Sequence, residues 1–261
     1  MNSEVILATH CSDITPYRQL STGKGYGLEL QAFFDPQVLA GDWRRVLDEH
    51  QRALAGFEGT IGMHGAFFDL NSGSLDPAIN AVVRLRLRQN LNIARKLRAK
   101  YIVFHANYLS MFKVPYYRQY WHERQVDFWQ EIVEEAAAAR VHILLENVAE
   151  DDPTILTDLL AEVNNPFFGA CLDVAHTFLY SKRSIYTWID ALAPYLYVCH
   201  LNNHDGKLDQ HWPLSQGVID YDPILSYLSQ LLYPPKLTLE VPNQAAMKQS
   251  LNYLTECLVP V

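Results

Sequence analysis

Eight short apolar runs, each followed by a helical or loop-and-helix stretch, leave this chain few architectures to choose from. The runs cover residues 5–10, 26–33, 60–64, 101–105, 141–147, 168–173, 195–201 and 236–241. They are nearly continuous rather than alternating, as expected of parallel strands buried on both faces. Helical patterns fall between them, most clearly at 36–54, 79–97, 121–139, 153–163 and 244–257. Asp151-Asp152-Pro153 pairs an N-cap carboxylate with a proline that suits the first turn, and Asp222-Pro223 opens another helix. Eight strand-helix units in 261 residues predict one (β/α)8 TIM barrel spanning 1–261, since such barrels usually take about 250 residues. An open doubly wound sheet is the alternative, but no G-x-G-x-x-G follows the first run.

Composition narrows the functional classes. Hydrophobic residues make up 49% and charged residues 19%, which is globular, and no apolar run is long enough to span a membrane. No basic region precedes an apolar core at the start of the chain, so a cytoplasmic protein is expected. Cys11, Cys171, Cys199 and Cys257 have no C-x-x-C spacing and read as reduced thiols. A net charge of −8 argues against a nucleic-acid binder, although carboxylates gathered around metal ions also count towards it.

Polar residues recur at one place. His64, His105, Glu146, Asp173, His200 and Glu240 close apolar runs at six points in the chain. In a barrel the C-terminal strand ends converge on one face, and that face carries the active site. A single strand-end histidine is usually a packed or capping residue; six metal-capable side chains in equivalent positions predict a shared site.

The densest stretch, 200–211, holds His200, His204, Asp205, Asp209 and His211. Asn203-His204-Asp205-Gly206 alone would make a turn. Adding His176, Asp209 and His211 to the strand-end set gives nine candidate metal ligands: His64, His105, Glu146, Asp173, His176, His200, Asp209, His211 and Glu240. Five imidazoles and four carboxylates suit Zn, Mn, Fe or Co and disfavour an all-oxygen calcium site. Nine ligands exceed the needs of one ion, so several ions bind or some of the nine handle substrate. Glu146 and Glu240, across the mouth from one another, can bridge metals or act as an acid/base pair.

These segments resemble the xylose-isomerase-like TIM barrels, which include sugar phosphate isomerases and epimerases and the endonuclease IV type of apurinic endonuclease. The resemblance rests on His64-Gly65-Ala66-Phe67-Phe68-Asp69-Leu70-Asn71, Ile102 to His105, Leu145-Glu146-Asn147, Cys171 to His176, His200 with Asp209-Gln210-His211, and Leu239-Glu240. In the epimerases, residues matching Glu146, Asp173, His200 and Glu240 hold one divalent metal while the two glutamates shuttle a proton. In the endonucleases, all nine positions match ligands of a trinuclear zinc site.

The resemblance therefore implies one to three divalent ions (Zn, Mn, Mg or Co). Glu146 and Glu240 would be catalytic, and His176, Asn147 and Phe67 would bind substrate. It implies a small sugar or sugar-phosphate isomerase/epimerase of carbohydrate metabolism, with a multi-zinc phosphodiesterase as the alternative, in a chain free to form a homo-oligomer. Phe33-Phe34-Asp35-Pro36 stands where the endonucleases carry a basic DNA-gripping loop, and Ser215-Gln216-Gly217 departs from the family's Gly-x-Gly.

Two other features compete for a role. The basic run from Arg84 to Lys100 coincides with a helix whose Val83, Leu87, Leu91, Ala94 and Leu97 form a core face, so it reads as a solvated surface. The aromatic cluster from Tyr116 to Trp121 reads equally as a lid over the mouth or as helix packing. His10, His50, His122 and His142 read as ordinary histidines.

Overall fold

Parallel neighbours cannot be joined by a tight turn, so each strand needs a crossover, which helices supply. The computed structural model describes residues 3–10 and 13–258. It runs β1 (Val5–Thr9), α1 (Thr15–Ser21), β2 (Gly27–Leu30), a 3-10 turn (Ala32–Phe34), α2 (Pro36–Ala40), α3 (Trp43–Ala53), β3 (Ile61–His64), α4 (Pro77–Leu97) and β4 (Tyr101–His105). There follow α5 (Tyr117–Ala139), β5 (His142–Glu146), α6 (Thr154–Val163), β6 (Phe168–Asp173), α7 (Val174–Tyr180) and α8 (Ile185–Leu192). The chain finishes with β7 (Leu196–Leu201), α9 (Tyr221–Ser229), β8 (Lys236–Leu239) and α10 (Gln244–Leu258). The strands pair in parallel in sequence order, and β8 closes on β1. The expected (β/α)8 barrel is the observed fold.

The two-residue period of a strand decides which side chains reach the site. Tyr101 and Val103 of β4, Leu144 of β5, Cys171 of β6 and Val198 of β7 fill the barrel interior. One step further along the same inward face come His105, Glu146, Asp173 and His200. Register keeps them level: His105 pairs with Glu146, and Asp173 with His200. The outward residues Ile102, Phe104, Ile143, Leu145 and Leu172 pack under the helices with Trp129 and Trp188. Both tryptophans are fully buried, and truncation to Ala at such a position costs about 3–5 kcal/mol.

Helix boundaries follow local chemistry. Asp76 caps α4 by accepting from Ala78 N at 2.8 Å, with Pro77 in the first turn. The helix expected over 36–54 is two helices, because Asp42 starts a new one by accepting from Arg45 N. The short helices α1, α7 and α8 had no clear periodic signal. Arg84 and Arg88 are tied to Glu131 and Glu135 of α5, so these basic side chains join two outer helices. Cys171 and Cys199 are free and buried; Cys11 and the side chain of Cys257 lie outside the described residues. Among the described residues no helix is long and apolar enough to cross a membrane.

Candidate metal centre

All nine candidate ligands meet at the C-terminal mouth of the barrel, in three groups whose donor atoms lie within 4.8 Å of one another. The first joins His64, His105 and Glu146, with His64 Nε2 at 3.2 Å and His105 Nε2 at 3.5 Å from Glu146 Oε2. The second joins Glu146, Asp173, His200 and Glu240, with His200 Nδ1 at 3.3 Å from Glu146 Oε1 and 3.1 Å from Glu240 Oε2. The third joins His176, Asp209 and His211, the Asp209 oxygens lying 3.1 Å from His176 Nε2 and 3.4 Å from His211 Nε2. Glu146 belongs to two groups, one oxygen facing each, which is the arrangement of a bridging carboxylate.

Local structure aims these side chains. Asp173 ends β6 and also caps α7, accepting from His176 N at 2.7 Å, so strand end and helix start bring two ligands together. The Asn147 amide clamps the Asp173 backbone in both directions, at 2.9 and 3.0 Å. Asn147, expected at substrate, is engaged by these bonds, and its neighbour Val148 lines the cavity. The β7–α9 loop carries Asp209 and His211 and folds around Asn203, whose side chain binds Leu214 O, Ile219 O, Ile219 N and His204 N. Within it, His204 and Asp205 are consumed by main-chain bonds and form the turn.

Imidazole orientation is set from behind, as is usual around metals. His64 Nδ1 donates to Gly65 O, His176 Nδ1 to Asn147 O and His211 Nδ1 to Glu240 O, leaving each Nε2 free to face its group. Burial opposes charge on His176 and His200, yet the surrounding carboxylates hold both well above the ordinary histidine range. Burial dominates elsewhere, pushing His105 down to about 3 and Asp173 up to about 6.

Charge balance decides whether the donor set suits a divalent cation. Glu29, Glu146, Asp173 and Glu240 are buried beside one another, and no Lys or Arg is buried among the described residues. Carboxylates taken out of water cost several kcal/mol each unless paired, so with no Lys or Arg beside them they need either protonated imidazoles or a bound cation. Mixed nitrogen and oxygen donors match a borderline divalent ion. The residues fit.

Above the clusters opens a cavity of about 630 Å³, lined by His10, Gln31, Phe34, Phe67, Val148 and Pro242 together with all the candidate ligands except Asp173 and His200. Phe67 stacks on His105 at 4.2 Å. Nothing from 116–121 lines this cavity; Trp121 is core and Tyr117 stacks on Tyr108, while Tyr116 and Tyr120 are exposed. Three residues here lie outside the expected site. His10 follows a strand run just as the ligands do, a usable signal. Glu29 and Gln31, on and just beyond β2, are polar residues in an apolar run. Gln31 donates to Glu240 Oε1 at 2.6 Å, and Glu29 lies beneath His200.

A family model for the xylose isomerase-like TIM barrel matches residues 26–257. The chain belongs to that family. Among solved structures it is similar to the TTHB071 protein of Thermus thermophilus, solved after soaking with ZnCl2, at 27% identity, 98% coverage of both chains and a TM-score of 0.79. It shares the fold of a D-tagatose 3-epimerase-like protein at 18% identity, covering 98% of this chain and 97% of that one, with a TM-score of 0.80. The IOLI protein, solved with a bound zinc atom, gives 18% identity, 98% coverage of both chains and a TM-score of 0.77.

Proposed function

We propose that this protein is a divalent-metal-dependent isomerase or epimerase of a small sugar. The observation that carries the reading is the convergence of Glu146 Oε1 and Glu240 Oε2, from β5 and the end of β8, on the single imidazole of His200 beneath an open cavity. A divalent ion held by Glu146, Asp173, His200 and Glu240 would, when bound, polarise a substrate carbonyl. One glutamate takes the proton from the adjacent carbon, the electron pair moves towards the carbonyl, and a carboxyl returns a proton to the carbon skeleton. Gln31 holds Glu240 Oε1, which leaves Oε2 for this work. Phe34, Phe67 and Pro242 offer apolar surface to the C–H face of a sugar ring and exclude water. No Lys or Arg lines the cavity among the described residues, which favours an unphosphorylated sugar. The neighbour solved with a bound zinc atom, the one soaked with ZnCl2 and the epimerase-like neighbour support the same reading.

A second reading, a multi-zinc phosphodiesterase, is favoured by the two further groups, since nine ligands suit more than one ion. The test is incubation in D₂O with divalent metal and, separately, a panel of ketoses, ketose phosphates and an abasic-site oligonucleotide. Proton transfer through an exchangeable carboxyl puts deuterium on a sugar carbon, and Glu146→Gln or Glu240→Gln abolishes the labelling while sugar still binds. A nicked oligonucleotide with no altered sugar would replace the first reading by the second. Product identity is read beside the label, because a direct hydride shift gives isomerised but unlabelled sugar.

A further inference from the structure

Among the metal-capable imidazoles at the mouth, His200 is held differently. Main-chain carbonyls hold the rear nitrogens of His64, His176 and His211. His200 turns Nδ1 towards Glu146 and Glu240, and its Nε2 lies 3.2 and 3.3 Å from the two oxygens of Glu29. Glu29 is fully buried on β2 in the barrel interior. Its Oε2 accepts from Tyr101 of β4 at 2.9 Å and from Thr238 of β8 at 3.4 Å. Four strands therefore meet on one carboxylate below the ligands. The room is made at Gly62, where a Cβ would lie 2.1 Å from Tyr101 Cζ.

A leucine-sized apolar side chain would fill this point of the interior at far less cost than a carboxylate with no Lys or Arg beside it. What the carboxylate adds is directional: an acceptor that keeps the proton of His200 on Nε2 and leaves the Nδ1 lone pair facing the metal group as an electron-pair ligand. We propose that Glu29 is the positioning residue of the four-ligand group, fixing the tautomer and ring orientation of His200 and so setting the affinity for the divalent ion. The inference rests on the metal-dependent reading above, but not on which reaction follows.

The test measures Zn²⁺ affinity by competition with a chromophoric chelator, and the visible spectrum of Co²⁺-loaded protein, for wild type, Glu29→Gln and Tyr101→Phe. Glu29→Gln keeps the shape and removes the charge; the tightest Zn²⁺ site should weaken by about 10–100-fold, and the Co²⁺ bands should shift. Tyr101→Phe keeps the carboxylate and loosens its anchor, so the same changes should appear in smaller measure. If Glu29→Gln does not fold, Tyr101→Phe decides on the same two readouts. Affinity and spectrum unchanged in the folded variants, with only thermal stability altered, would overturn the inference and leave Glu29 as packing. A wild-type protein that binds no Zn²⁺ would overturn the metal reading and this inference with it.

Discussion

Gly217→Ala tests whether the third ligand group depends on one loop fold. Gly217 sits at φ +134°, a backbone conformation that side-chain-bearing residues rarely adopt. A Cβ there would lie 2.2 Å from Asn203 Oδ1 and 2.6 Å from His204 O, so something must move. The strain alone costs about 1–3 kcal/mol. Displacing the Asn203 side chain also puts at risk its bonds to Leu214 O, Ile219 O, Ile219 N and His204 N, each with a net value of about 1 kcal/mol. A loss of about 3–5 kcal/mol is expected if the loop stays in place, enough to lower the melting temperature by roughly 10 °C in a chain of this size. Where the loop moves instead, Asp209 and His211 move with it, and the His176–Asp209–His211 group comes apart while the four-ligand group persists. The assay pairs a thermal melt of apo protein with a metal titration. An unchanged melt together with unchanged metal stoichiometry would refute the argument, because the structure leaves no room for that Cβ at no cost.

Other consequences are simpler to state. His200→Ala should lower metal occupancy while Arg86→Ala, on the outer face of α4, should not; equal occupancy in both variants would remove His200 from the ligand set. Chelator should lower the melting temperature of metal-loaded protein, since free ion at 100 times its dissociation constant contributes about 2.7 kcal/mol; no shift would argue against a resident ion. Burial holds His50 below its ordinary value of 6.5, despite its bond to Val46 O. As pH falls below about 6.5 the unfolded chain takes up a proton that the native state refuses, so stability declines in acid. His50→Leu should flatten that part of the urea-unfolding pH profile; an unchanged slope would show that His50 titrates alike in both states.

The strand pattern was enough to dictate the barrel, because continuous apolar runs of strand length separated by helix-length segments have one closed parallel solution in such a chain. It also located the candidate ligands: His64, His105, Glu146, Asp173, His200 and Glu240 were visible as polar ends of apolar runs, and parallel strands necessarily bring such ends to one rim. Their division into groups was invisible in sequence, since it depends on which oxygen of Glu146 faces which imidazole. Tertiary structure alone placed Glu29 under His200, because a carboxylate within a strand shows no partner until four strands meet around it. It alone turned Asn147 from the cavity onto the backbone of Asp173, a choice made by two hydrogen bonds between neighbouring strands. Local order in sequence reports the period of a strand; which side chains meet across a closed barrel is set by closure itself, when residues as far apart as Glu29 and Thr238 come into contact.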